Sequence, residues 1–343
     1  MGSHYPNKEK IKQMNSKSLM KNIKSKYILK QILGLLPKGK LLQIFKYNKE
    51  IRNKIGLNII DYKEYMDLFS PIELEIIPLK NKLDKIINIS KEEDELYYHL
   101  FFNHNKTEIN RNNYDKNIKV KNIKIKIDYQ VNSLNNLFED CESIKLIYFK
   151  KFYRKNINDL SFMFKGCSSL KELNISNVNM NNVISLRGIL NKCSSLKKVN
   201  FSNLNTNNVT DMCGMFYNCT SLEEVNFSNF DTNSVQTMSW MFYGCSSLKK
   251  INLSFLVTDN IMDMNDMFNG CSSLKKVKLS FPNLNNKIDM NYMFYKCSSL
   301  EEVYLTDLNV NNIYRMYRMF YGCNSLKKEK LPENIQYFLF LSK

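Results

Sequence analysis

Histidine is nearly missing from this chain. Its 343 residues hold three, at His4, His99 and His104, and none falls in the C-terminal two thirds. No His-based triad, acid–base pair or His-rich metal site can be assembled there. No Gly-rich phosphate loop and no nucleophile elbow occurs either, so the chain reads as a protein without catalytic machinery, metal or cofactor. No apolar run reaches about 18 residues, so no transmembrane helix is expected. No secretory leader is read at the start. The opening MGSHYP is a poor myristoylation signal, because Pro6 stands where Ser or Thr is required.

What is present is periodic. Cys141, Cys167, Cys193, Cys219, Cys245, Cys271, Cys297 and Cys323 are each 26 residues apart, and Cys213 alone lies off the series. A period of this length is the mark of a solenoid or array, in which each unit buries its apolar face on its neighbours. Within the unit, L-x-x-L-x-L recurs as Leu170, Leu173, Ile175, then Leu196, Val199, Phe201, then Leu222, Val225, Phe227. Alternation there predicts a strand. Strands joined at a fixed spacing through a crossover must lie parallel. The second half changes period. Val209, Met212, Met215, Phe216 recur as Val235, Met238, Met241, Phe242, a spacing that predicts one or two helical turns. Asn205 to Asn208 stand where they could cap that helix. Gly166, Gly244, Gly270 and Gly322 stand where a left-handed residue closes one. Asp140, Lys192 and Lys296 break that preference. Serine stands two after every cysteine, as in Ser169 and Ser195, and is expected to form a hydroxyl ladder. The methionines fall at core spacing.

The L-x-x-L-x-L-S strand, the T-x-x-V-x-x-M-x-x-M-F segment and the C-x-S-L join resemble the BspA-type leucine-rich repeats, known also from mycoplasma lipoprotein-type surface proteins. The resemblance covers residues 141–326. It implies an α/β repeat fold: a right-handed leucine-rich-repeat solenoid with parallel strands on the concave face and short helices on the convex face. It further implies a surface used for binding, often at the outside of a cell.

Equivalent cysteines in stacked units point the same way, which is wrong for a bridge. A buried column of free thiols is expected, and with it a reducing, cytoplasmic compartment. The N-x-S triplets on consecutive strands, such as Asn200-Phe201-Ser202, argue in the same direction, because secretory glycosylation would crowd the binding face. A cell-surface placement is the alternative.

Basic charge is concentrated at the N-terminus: residues 1–54 hold 14 Lys+Arg and 2 Asp+Glu. Apolar stripes there predict a small α-helical region, with helices near 18–36, 41–55 and 61–69. The hairpin from Ile28 to Ile55 weakly resembles an F-box, the adaptor-docking module of ubiquitin ligases. The Leu-Pro usual before its first helix is absent; Pro37 follows it instead. Two domains are expected: 1–114, a basic helical module with a capping segment, and 115–343, one degenerate repeat, about seven full repeats and a C-terminal cap formed by Tyr337 to Leu341.

On the strands, residues between the core leucines point outward. Two columns, five and seven after each cysteine, form the candidate partner site: Tyr148, Glu172, Asn174, Lys198, Asn200, Glu224, Asn226, Lys250, Asn252, Lys276, Lys278, Glu302 and Tyr304. A Ser column follows them. Such a polar sheet with tyrosines near both ends suits a protein or peptide partner. Nucleic acid or an anionic membrane is disfavoured, since aromatics are not interleaved with the basic charge, and the chain is expected to be monomeric. The expected function is a non-enzymatic protein-binding scaffold. The alternatives are an F-box-like substrate receptor and a surface adhesin.

Overall fold

The 26-residue period sets the core residues of successive long strands directly opposite one another. In the computed structural model, Val199 stands opposite Val225, Ile251 opposite Val277, and Val277 opposite Val303. The structure describes residues 70–79, 85–110 and 118–327 (without 177, 254, 255, 257, 258, 282 and 283), together with 25, 28, 48–55, 331 and 333–336. It divides into two compact units, 1–70 and 71–343.

In the first unit, one helix is described, Lys49–Ile55, whose Asn48 side chain accepts the Ile51 N–H at 3.1 Å as an N-cap. The remaining expected N-terminal helices, and with them the F-box-like hairpin, lie outside the described residues.

The second unit opens with β structure. Strands β1 (Ile72–Pro78), β2 (Tyr98–Phe102) and β3 (Ile123–Ile127) are antiparallel and alternate strictly between buried and half-buried side chains. Strand β1 also pairs antiparallel with β4 (Ile144–Lys151), the first strand of the array. This sheet closes the edge that the first repeat of the array would otherwise expose. A single 3-10 turn, Glu92–Tyr97, leads into β2. Arg154 is fully buried beside this cap, and its guanidinium donates to the Asp128 carbonyl.

The array continues as β5 (Glu172–Asn174), β6 (Lys198–Asn200), β7 (Glu224–Asn226), β8 (Lys250–Leu253) and β9 (Lys276–Ser280). After the short β10 (Ile288–Asp289) come β11 (Glu302–Thr306) and β12 (Ile313–Arg315). Hydrogen-bonded neighbours along the array are parallel: β4 with β5, β6 with β7, and β8 with β9 with β11. The expected parallel strands are present.

The expected convex helices are not. Between 131 and 327 the second half of each unit is a run of turns, and no α-helix forms among the described residues. In the unit from Met238 to Cys245, every second N–H crosses to the next unit: Met238 to Asp263 O, Trp240 to Asn265 O, Phe242 to Met267 O and Gly244 to Asn269 O, at 2.7–3.0 Å. The intervening N–H groups close tight turns, Met241 to Met238 O, Tyr243 to Trp240 O and Cys245 to Phe242 O. Two left-handed residues per unit keep this alternation going, here Trp240 at φ 55° and Gly244 at φ 69°. A helix would need those same donors for its own chain. The residues before the cysteines are left-handed as expected, Asp140, Lys192 and Lys296 included.

The Asn and Thr residues read as helix caps serve the ladder instead. Asn182, Asn208 and Asn260 donate Nδ2 to Lys155 O, Asn181 O and Asn233 O of the preceding unit, at 2.6–2.7 Å. A second column, unmarked in the sequence reading, starts each turn run: Asp159, Ser185, Asp211, Thr237, Asp263 and Asp289 form bridges from unit to unit. Each side-chain oxygen accepts the N–H two residues on, as Asp211 does from Cys213 at 2.8 Å. The hydroxyl ladder falls one residue earlier than expected: Ser194, Ser246 and Ser298 donate to Ser168 O, Thr220 O and Ser272 O.

One core runs from Ile72 to Ile335. Phe216, Phe242, Phe268, Phe294 and Phe320 stack face to face at 5.2–5.5 Å between centroids. The methionines at 212, 215, 238, 241, 264, 267, 290 and 293 are buried with them. Leu331 and Ile335 are buried beyond the last unit; the expected cap residues 337–341 lie outside the described residues.

All nine cysteines are free, and eight are buried. Seven of the eight in the series donate Sγ–H to a carbonyl 29 residues back, as Cys245 does to Phe216 O at 3.1 Å and Cys271 to Phe242 O at 3.0 Å. The thiol column is therefore a row of inter-unit hydrogen bonds. Replacing Cys245 by Ala removes one of these bonds and opens a small void, and is expected to cost about 1–2 kcal/mol. Cys213, whose sulfur only accepts from Ser239 Oγ at 3.4 Å, should lose less on the same change. Equal losses in urea unfolding would show that the thiol bond contributes nothing.

Burial also pushes the thiols up, Cys219 from 9.0 to about 12. The unfolded chain releases this proton near pH 9, whereas the folded chain holds it to about 12. Between those values the folded state binds more protons, so stability falls as pH rises, by up to about 1.4 kcal/mol per pH unit for each such thiol. The urea midpoint should drop from pH 9 upward, and less steeply for Cys219→Ala. Parallel profiles would refute the assignment.

Candidate functional site: the outward face of the strands

Strand alternation decides what this face presents. With Leu173, Val199, Ile251, Val277 and Val303 turned into the core, their neighbours turn out. All thirteen candidate residues stand on the strands in this way: Tyr148 on β4, Glu172 and Asn174 on β5, Lys198 and Asn200 on β6, Glu224 and Asn226 on β7, Lys250 and Asn252 on β8, Lys276 and Lys278 on β9, Glu302 and Tyr304 on β11. None is buried.

The face is not one continuous sheet. Strands β5 and β6 fall in different sheets, as do β7 and β8. Their inward residues register the gaps: Leu173 and Ile251 keep 7% and 9% exposure, whereas Ile147, Val277 and Val303 keep none. Two depressions lie over these breaks. The first, about 580 Å³, gathers Tyr148, Glu172, Asn174, Lys198, Asn200, Glu224 and Asn226. The second, about 1150 Å³, gathers Lys198, Glu224, Asn226, Lys250, Asn252, Lys276 and Lys278. Glu302 and Tyr304 line neither. Tyr304 O–H donates to Glu302 at 3.1 Å and lies under the Lys276 ammonium at 4.9 Å.

The Asn column has an internal task. Asn174, Asn200 and Asn226 accept through Oδ1 from the N–H of Ser176, Ser202 and Ser228 at 2.9–3.0 Å. Each of these three N-x-S triplets is thus an Asx turn that ends its strand.

Charge is arranged in doublets, a pattern the single-column reading missed. Lys197-Lys198, Glu223-Glu224, Lys249-Lys250, Lys275-Lys276 and Glu301-Glu302 occupy successive units. Neighbouring doublets of opposite sign pair directly: Lys197 with Glu223 at 3.3 Å, Lys198 with Glu224 at 2.8 Å, Lys275 with Glu301 at 3.4 Å, Lys276 with Glu302 at 3.0 Å. The hydrogen bond from Lys198 holds the Glu224 carboxyl below the usual carboxylate range, and Lys250 adds a weaker pull. From Cys193 onward the same residue type stands four and five after each cysteine of the series, and this was the available signal.

The turn face carries a further column that varies from unit to unit. Phe162, Trp240, Asp266, Tyr292 and Arg318 all hold left-handed backbone, φ 49–55°, where Gly188 and Gly214 stand in other units. Trp240 is 37% exposed and donates Nε1–H to Asp266 at 3.2 Å.

Two stretches of the chain, residues 132–255 and 223–334, match a family described as Mycoplasma protein of unknown function, DUF285. The chain belongs to this family. The DUF285 match spans the units that carry the resemblance to BspA-type repeats. No curated protein matches the chain. Among solved structures, it is similar to a leucine rich cell surface protein from Faecalibacterium prausnitzii A2-165, with 17% identity and a TM-score of 0.31. That alignment covers 46% of this chain and 48% of the other, so the chain spans about half the length of that protein.

Because the Asn side chains end the strands while the ion pairs sit in water, the two classes should separate on substitution. Asn200→Ala is expected to cost about 0.5–1 kcal/mol. Lys198→Ala should leave the melting temperature unchanged within error. Thermal unfolding that ranks them in the opposite order would overturn this division of the face.

Proposed function

We propose that this DUF285 chain is a non-enzymatic recognition scaffold that binds a protein or peptide partner across the outward face of its strands. The observation that carries the reading is the commitment of everything else. The backbone and the Cys, Phe, Met and inward Leu/Val columns are occupied in joining units, whereas the strand face presents side chains that change from unit to unit over two depressions. A variable surface on a fixed ladder is how repeat proteins recognise partners. The two described histidines outside the first unit support a structural role for both: His99 is held by Glu108 and Asp128, and His104 by Asn122.

The thiol column does not assign a compartment. Seven of the eight thiols in the series are buried and Cys323 is half-buried; all eight are raised in pKa and engaged with a carbonyl, which makes them poor targets for oxidation whether their surroundings are reducing or not. The inference from free cysteines to the cytoplasm therefore fails on physical grounds, and a cell-surface scaffold fits the same residues.

A photo-crosslinking amino acid placed at Asn200 or Asn252 on the strand face, and at Tyr243 on the turn face, tests the reading in the native host. Crosslinks to one partner are expected from Asn200 and Asn252 and not from Tyr243. Crosslinks only from Tyr243 would move recognition to the turn face.

A further inference from the structure

The doublet pattern leaves one unit without an acidic neighbour of its own. Lys197-Lys198 faces Glu223-Glu224, and Lys275-Lys276 faces Glu301-Glu302. Lys249-Lys250 lies between them, with an already paired Glu doublet on one side and a Lys doublet on the other. Lys249, Lys250 and Lys278 make no ion pair among the described residues and are exposed. All three line the larger depression. Its apolar floor comes from Val225, Phe227 and Ile251, and it lies where β7 and β8 are not hydrogen-bonded to one another.

We propose that this depression binds an extended acidic peptide segment, its carboxylates on Lys249, Lys250 and Lys278 and its apolar residues on the Val225–Ile251 floor. The inference rests on the strand face being the recognition surface and specifies what that surface takes. Two features favour a peptide over a nucleic acid. Two of the three floor residues, Val225 and Ile251, are aliphatic. Phe227 is buried, so the depression offers no exposed aromatic platform on which bases stack. Alternate residues of an extended chain point to opposite sides, which places acids on the lysines and leaves the intervening apolar residues for the floor.

The test uses the full chain and a short fluorescein-labelled peptide alternating Glu and Val. Its comparators are the same peptide with Gln for Glu, and a thymidine oligonucleotide of equal charge. By fluorescence anisotropy the Glu peptide should bind at least about tenfold tighter than the Gln peptide, and raising the salt should weaken it. The combined variant Lys249→Gln, Lys250→Gln, Lys278→Gln should lose about tenfold in affinity with an unchanged melting temperature. A control variant, Lys121→Gln, Lys155→Gln, Lys171→Gln, removes the same charge elsewhere and should keep full affinity. Equal binding of the Gln peptide, or equal loss in the control, would overturn the site. Tighter binding of the oligonucleotide would replace the peptide with a nucleic acid. If the acidic peptide fails while crosslinks from Asn200 and Asn252 persist, the ligand class is wrong and the recognition face stands.

Discussion

The donation of every second turn-half N–H to the carbonyls of the following unit is the interaction on which the rest depends. A buried backbone donor without a partner costs about 1–3 kcal/mol, and each unit sends four such donors across its junction. No unit can meet that demand from within itself, because its left-handed residues, such as Trp240 and Gly244, break the helix that would do so. The units are therefore stable only in stacks. The spacing must stay at 26 residues, since a one-residue slip would point every donor at the wrong group and turn every strand over. For the same reason the array needs its ends closed, and β1 closes the first by pairing antiparallel with β4.

Side-chain ladders grow from this stacking. Identical residues in successive units are held at a strand's spacing of about 4.8 Å, which lets Phe rings stack and lets each thiol reach a carbonyl of the unit before. The same geometry sets the electrostatics of the outer face. Lysines in adjacent units repel, and a Lys doublet is comfortable only beside a Glu doublet. Side chains can vary on this face without disturbing the fold, because the residues that vary are not the residues that form the core columns.

The fold was largely legible. The cysteine series located the units, the alternation of Leu170, Leu173 and Ile175 located the strands, and the glycine before the cysteine located a left-handed residue. The second half of the unit was misread, for a definite reason. Met238, Met241, Phe242 and Cys245 are buried at helical spacing, yet that spacing also arises from consecutive tight turns whose donors leave the segment. Periodicity reports which side chains are buried and is blind to where the N–H groups go. The capping segment before the array was located, but its β pairing was not foreseen, because Ile72, Leu74 and Ile76 find their partners some fifty and seventy residues away, in β3 and β4. The candidate surface residues were found one by one, while the doublet order that separates paired from unpaired lysines shows only when units are stacked.

The amino-acid sequence alone determined the repeat, its period, its core columns and its outward columns, since these follow from local alternation and from counting. Tertiary structure alone decided how the turn halves are bonded, that the cysteines act as hydrogen-bond donors, where the strand ladder breaks, and which lysines lack a partner. Each of those is a relation between residues 25 to 29 positions apart. Such relations depend on the rise and register of one unit on the next, which no local pattern encodes.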